Sequence, residues 1–336
     1  MKASRLLRSH LLWLAASFVI LVLLCLLSLA LGTKSIPLDR VVSLLFESDG
    51  SEEAGIVREM RLSRTLYGLL VGSAIAVAGA LMQALTRNPL ADPGILGVSA
   101  GAALGIVVTT GILGITSVYG YVWFGFAGAL LAMALVYALG SAGRGGATPA
   151  KLALAGAAVS ALLQSLVNAV LLFDAASLGD YRFWAVGSLT GQSAGILVQV
   201  LPFLLAGAVL AALTAPALNS LALGDGVAKS LGQRVGLIRL RGAAAVTLLA
   251  GGAVALCGPI AFVGLVVPQA VRHFTGPDNR WILAHSALIG PILLLAADIL
   301  GRLVARPDEL HVGIVVTVIG APFFIALVRR RRLQEL

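Results

Sequence analysis

Leu11-Leu12-Trp13-Leu14-Ala15-Ala16-Ser17-Phe18-Val19-Ile20-Leu21-Val22-Leu23-Leu24-Cys25-Leu26-Leu27-Ser28-Leu29-Ala30-Leu31 contains no charged side chain. A helix rises about 1.5 Å per residue, so a run of this length crosses the roughly 30 Å hydrocarbon core of a bilayer. Lys2, Arg5 and Arg8 precede it. A cleavable signal peptide has the same order of charge and apolarity, but its apolar core is only about 7–15 residues long. The stretch therefore reads as a first membrane span whose basic start stays in the cytoplasm.

Outward from this run, apolar stretches recur to the end of the 336 residues; 59% of the chain is hydrophobic and only 12% is charged. Soluble domains carry about 25% charged residues to cover their surface. Lipid is thus the solvent for most of the chain, and residues 1–336 read as one polytopic, all-α membrane domain. About ten spans are expected, near 11–31, 65–85, 96–115, 119–140, 150–172, 193–214, 238–257, 259–268, 282–304 and 311–328. The stretch 259–268 is short, and Gly258-Pro259 breaks the helix before it. It is expected to be a tight hairpin or a broken helix, which membrane depth tolerates only when buried in protein or lining a cavity.

Basic residues set the orientation. With the N-terminus in the cytoplasm, the inner side holds Lys2, Arg5, Arg8, Arg87, Arg144, Lys151, Lys229, Arg234, Arg239, Arg241, Arg272, Arg280 and the run Arg329, Arg330, Arg331 and Arg332, against eight outside, of 24 Lys and Arg in all. This follows the positive-inside rule and predicts both termini cytoplasmic. The net charge of +9 does not point to nucleic acid, because no basic stripe alternates with aromatics. Cys25 and Cys257 lie in apolar runs, and the four histidines are scattered, so neither a disulfide framework nor a metal site is expected.

Three connections are long. The outer segment 32–64 contains Pro37-Leu38-Asp39-Arg40-Val41-Val42, which starts like a short surface helix; the outer segment 173–192 carries Trp184; the inner segment 215–237 is polar. The runs Gly72-Ser73-Ala74-Ile75-Ala76-Val77-Ala78-Gly79 and Gly251-Gly252-Ala253-Val254-Ala255-Leu256-Cys257-Gly258 resemble each other. They fit either an inverted repeat of the transporter kind or the ease with which Gly/Ala-rich spans align.

Missing chemistry narrows the function. There is no GxxxxGK[ST] loop, and no nucleophile–base pair or carboxylate pair stands out. No catalytic residue is assigned, and ATP, if it drives the protein, must be hydrolysed on another subunit. Asp298 and Arg302, four apart, read as an ion pair near the outer end of a span, although an intramembrane carboxylate is also a functional candidate. Gln164 and Asn168 form a polar stripe that suits either a solute path or interhelical hydrogen bonding. Proton- or sodium-driven carriers place ionisable groups at midplane, and this chain has almost none.

Three runs carry most of a family resemblance. Arg61-Leu62-Ser63-Arg64-Thr65-Leu66 leads to Gly79-Ala80-Leu81-Met82-Gln83-Ala84-Leu85-Thr86-Arg87-Asn88-Pro89-Leu90-Ala91-Asp92-Pro93-Gly94-Ile95-Leu96-Gly97, and Gly258-Pro259-Ile260-Ala261-Phe262-Val263-Gly264-Leu265-Val266-Val267-Pro268 follows. With Phe183-Trp184-Ala185-Val186-Gly187, Ala297-Asp298 and Gly320-Ala321-Pro322, the chain resembles the FecCD family of ABC importer permeases over nearly everything after residue 30. The resemblance implies a type II importer permease with ten spans. It implies a second permease (a copy or a related chain), two ATP-binding-cassette ATPases and an extracytoplasmic binding protein as partners. The cargo it implies is a ferric siderophore, with haem or cobalamin as alternatives. The chain itself would bind no cofactor and no nucleic acid; ATP and Mg would sit on the ATPases, and the whole would lie in the cytoplasmic membrane. An ion-coupled secondary transporter is the reading from a different class.

Site residues follow from the same resemblance. Leu221, Leu223, Gly224, Ala228, Leu231 and Gly232 match coupling helices that rest on the ATPases, with the leucines as apolar seats and the glycines as turns. Arg61, Arg64 and Arg302 match arginines that receive acidic residues of the binding protein; without the resemblance they read as snorkelling anchors. Ser63 stands where the family usually has Pro, and Gln269 where many members have His.

Overall fold

The computed structural model describes residues 2–32, 34, 36–47, 49–142, 148–173, 175–190 and 194–332. All regular structure among them is helical. The helices are α1 (Lys2–Ala30), α2 (Leu38–Phe46), α3 (Glu52–Thr86), α4 (Val98–Ile112), α5 (Val118–Ser141), α6 (Pro149–Phe173) and α7 (Ala175–Val186). They continue as α8 (Ala194–Ala222), α9 (Asp225–Ser230), α10 (Val235–Cys257), α11 (Val263–Thr275), α12 (Asn279–Val304) and α13 (Val312–Arg332).

Seven helices are long and apolar enough to cross a membrane: α3, α5, α6, α8, α10, α12 and residues Leu7–Ala30 of α1. The predicted spans 96–115 and 311–328 fall on shorter apolar helices, Val98–Ile112 and Val312–Ala326. The predicted span 259–268 is displaced: residues 258–262 are irregular, and the helix is Val263–Thr275, 13 residues long. Gly258 takes a positive φ of 73°, and Pro259 offers no N–H to continue the ladder. Cys257 O accepts from Ser188 N at 2.8 Å, so the break is satisfied by a neighbouring loop inside the protein. Arg144 lies outside the described residues, and within the C-terminal basic run only the side chain of Arg329 is described.

α3 is the centre of the fold. It begins at Glu52, well before its predicted span at 65–85, where Ser51 Oγ caps the first turn by accepting from Ala54 N at 3.2 Å. It then passes through a π-helical turn, Ile56–Arg61. Small residues along it allow backbone-to-backbone packing on α11 and α12. A Cβ added to Gly79 would overlap the backbone of Gly264, so the close approach of the two helices at this point requires glycine. The lipid-like surface is carried by α1, α6 and α8, which leave many large apolar side chains exposed.

α2 packs Val41 and Leu44 against Leu29, Ile36, Ala54 and Val57, forming a small separate core beside the start of α3. It is the surface helix predicted from Pro37 onward. At its other end α3 stops at Arg87, left-handed at φ 51°, with Asn88 N bonded back to Gln83 O at 3.2 Å. The Asn-Pro-Leu-Ala-Asp-Pro-Gly run is a compact turn. Asn88 Oδ1 accepts from Leu90 N at 3.0 Å, Asp92 Oδ1 accepts from Gly94 N at 2.8 Å, and a 3₁₀ turn Pro93–Leu96 leads into α4.

Candidate functional site

Polar chemistry gathers at the two ends of α3. At its start, Asp298 of α12 is fully buried at 0% exposure. Arg64 donates to it from Nε at 2.9 Å and from Nη2 at 2.7 Å, and Arg302 donates from Nε at 3.0 Å. Arg302 Nη1 also reaches Ser28 O at 2.9 Å and Leu31 O at 3.1 Å, tying α12 to the end of α1. Arg61 gives its donors to Leu29 O and Ala30 O, both at 2.8 Å, and to Lys34 O. Arg64 has one further partner, the carboxylate of Glu309.

This changes the expectation for Arg61, Arg64 and Arg302. All three side chains are buried and their donors are taken up by groups of this chain. A docking acidic residue would have to break bonds already made in a dry setting, which costs more than an exposed pair returns. The groups that stand open above the cluster are Lys34 and Glu309. The Asp298–Arg302 pair predicted from the i, i+4 spacing is present, and Arg64 is the member that spacing could not reveal.

At the far end of α3 lies the predicted coupling segment 215–237. Its first third belongs to α8, which runs on to Ala222. Leu221 is 0% exposed, so it packs inside the chain and offers no seat to a partner. Ala228 is buried in the same way. Leu223 at 64% and Leu231 at 59% are open, and Val227 between them is exposed too. The apolar outward face is therefore Leu223, Val227 and Leu231, while Leu221 and Ala228 attach the segment to the body. Gly224 at φ 104° and Gly232 at φ 79° make the turns on each side of α9.

Asp225, which begins α9, accepts from Arg239 Nη2 at 2.7 Å and from Arg87 Nη2 at 3.3 Å. Sequence reading passed over these three because no short spacing joins them. Nearby, Gln269 Nε2 donates to Gln83 Oε1 and to Pro89 O, both at 2.9 Å, and Gln83 Nε2 donates to Gly264 O at 3.2 Å. Gln269 is thus an amide bridge holding the Asn-Pro-Leu-Ala turn against α11. Asn219 of α8 donates to Asp278 Oδ1 at 2.7 Å and fixes the start of α12. A cavity of about 570 Å³ opens here, lined by Gln83, Arg87, Pro89, Arg272 and Asn279.

Two further cavities border the helix break. One of about 430 Å³ is lined by Thr110, Tyr121, Trp184, Ser188, Cys257 and His311. A smaller one of about 110 Å³ touches Asp92, Ser99, Val254, Pro259 and Ile260. Trp184 belongs to the first of these. Gln164 and Asn168 bond to each other at 3.3 Å on an open side of α6, turned away from the chain's own core. Among the described residues no group of three or more His, Cys, Asp or Glu is placed to hold a metal ion.

The fold and these sites define a class: a multi-pass helical membrane protein with an irregular buried centre and a short exposed helix at one end. Residues 20–330 match the model of the FecCD transport family, and the chain belongs to that family. It is 45% identical over 314 residues to the ferric enterobactin transport system permease protein FepD of Escherichia coli (strain K12), covering 93% of each chain. It is 42% identical over 313 residues to the "Probable siderophore transport system permease protein YfiZ" of Bacillus subtilis (strain 168), covering 93% of this chain and 94% of that one. A solved metal-chelate type ABC transporter in an inward-facing conformation superposes with a TM-score of 0.83 at 27% identity, over 94% of this chain and 98% of the other.

Proposed function

We propose that this chain is the permease subunit of an ATP-binding-cassette importer that carries a ferric siderophore inward across the cytoplasmic membrane. The observation that carries the reading is the near full-length similarity to FepD, named for ferric enterobactin transport, and to YfiZ, named as a probable siderophore permease. In this reading the three shorter helices α4, α11 and α13 join the seven long ones to make ten membrane passages, and both termini are cytoplasmic. α9 and its flanking turns, with Leu223, Val227 and Leu231 outward, rest on an ATPase subunit. A second permease, the same chain or a related one, covers the open side of α6 that carries Gln164 and Asn168. Two ATPases hold ATP and Mg, and this chain performs no hydrolysis itself. A binding protein delivers the chelate at the opposite end, above the Arg61, Arg64 and Arg302 cluster. There the buried arginines shape the surface and Lys34 and Glu309 face the visitor.

The test is transport by the complex purified from native membranes and reconstituted in vesicles. Ferric enterobactin, ferric citrate and a ferric hydroxamate, each with radioactive iron, serve as probes. ATP-dependent accumulation of at least one, in the presence of the binding protein, is the expected result. Accumulation driven by a proton or sodium gradient without any ATPase would overturn it.

A further inference from the structure

We infer that Asp225 is a two-sided clamp that passes movement of α9 into the centre of the molecule, and that it is a positioning residue for coupling. This rests on the reading of α9 as the ATPase-contacting helix and deepens it. α9 has only six residues and is bounded by two positive-φ glycines, so its backbone alone is a poor lever. Asp225 supplies the missing connection. Its Oδ2 accepts from Arg239 on α10, and its Oδ1 accepts from Arg87 at the end of α3. Those two helices are the most deeply buried of the long ones, and α10 leads directly to the break at 258–262. One carboxylate thus joins the exposed helix to both central helices.

The geometry suits transmission. Arg239 is nearly buried and its bond to Asp225 is short and charge-assisted, which fixes direction as well as distance. Arg87 is half-exposed and at 3.3 Å, so it can yield as α9 tilts while Arg239 holds. Arg87 also lines the 570 Å³ cavity, so tilting α9 would reshape that wall. Packing of Ala228 provides attachment but no direction, since an apolar contact is not oriented.

The experiment uses the assembled complex in vesicles, with the best-transported chelate of the panel above. Chelate imported per ATP hydrolysed is measured for Asp225→Ala and Asp225→Asn, with Asp225→Glu as the conservative control. The expected result is a fall of about tenfold in that ratio for Ala, the ordinary size of a coupling loss. A smaller fall is expected for Asn, and recovery for Glu. In parallel, Leu223→Cys is crosslinked to the ATPase. A crosslink with an unchanged ratio in Asp225→Ala overturns the clamp and leaves the docking reading intact. Absence of any crosslink overturns the docking reading and the clamp with it. Failure of both Asp225→Ala and Asp225→Asn to assemble would make Asp225 a structural strut and would also overturn the clamp.

Discussion

Asp298 and Asp225 each hold two guanidiniums, one group near the start of α3 and the other at its end, in opposite surroundings. Asp298 is sealed from solvent with Arg64 and Arg302, and the three side chains lock α1, α3 and α12 together. Asp225 is one-third exposed, and one of its two arginines is half-exposed. A buried ionic cluster is expensive to form and more expensive to break, so it fixes a single arrangement. An exposed pair is worth little and can be made and broken within a working cycle. The same two residue types therefore serve as a lock at one end and as a hinge connection at the other.

The largest effect should come from breaking the lock. Asp298→Ala leaves the buried Arg302 without a bonded counter-charge and Arg64 with only Glu309, and is expected to cost about 3–5 kcal/mol of stability. Thermal unfolding of the detergent-solubilised protein measures it. Asp225→Ala in the same assay should cost less, because only Arg239 of its two arginines is nearly buried while Arg87 is half-exposed. Equal losses at the two sites would erase the distinction between them.

A second contrast lies within one short stretch. Leu221→Ala should cost about 2–5 kcal/mol because it opens a cavity in the core. Leu223→Ala, two residues on, should stay within about 0.5 kcal/mol. The order reverses for coupling: Leu223→Asp together with Leu231→Asp should lower chelate uptake per ATP hydrolysed by about tenfold or more. Uptake and phosphate release in vesicles read both numbers.

That contrast shows what the sequence could and could not disclose. In a membrane helix the whole circumference is apolar, so hydropathy does not say which face is inside. Leu221 and Leu223 were given one role because the family resemblance assigns the inner segment as a unit, although one is core and the other is surface. The apolar run 11–31, the Pro37 helix and the break at Gly258-Pro259 were all legible, because each rests on local chemistry. The start of α3 was not. Glu52, Glu53, Arg58 and Glu59 lie in its first turns and look like loop, yet Ser51 caps them and the small α2 core shelters Val57. Arg64 was assigned to docking from the family resemblance, and its bond to Asp298 could not be read because the two lie 234 residues apart in sequence. Only the i, i+4 half of that cluster leaves a mark in the chain.

Glu309 sharpens the lock from its edge. It is the partly exposed member, and Arg64 keeps Asp298 when Glu309 is gone. Glu309→Gln is expected to cost no more than about 1 kcal/mol, several times less than Asp298→Ala. A loss as large as that of Asp298→Ala would mean that the cluster depends on both carboxylates, and that the seal at 298 alone does not hold it.

The smallest expected effect is a titration in the exposed loop after α2. Asp49 Oδ1 accepts from Ser51 N at 3.0 Å, and its other oxygen meets Arg40. The Ser51 hydrogen bonds first, and then the Arg40 guanidinium, hold its carboxyl down at about 2. An ordinary aspartate titrates near about 3.9. Because the folded value is the lower one, the contribution of this pair is complete above the ordinary value and is lost as pH falls through the depressed one. The loop should therefore stay intact from neutral pH down to about 4 and change only below it. A carbon NMR titration of the Asp49 carboxyl measures this, and Ser51→Ala should move the midpoint upward more than Arg40→Gln does. A midpoint already at the ordinary value in the parent would mean that the loop is not closed in solution. Arg40 would then share the looseness of Arg87 at the far end of α3, and exposure alone would decide which of the molecule's ion pairs persist.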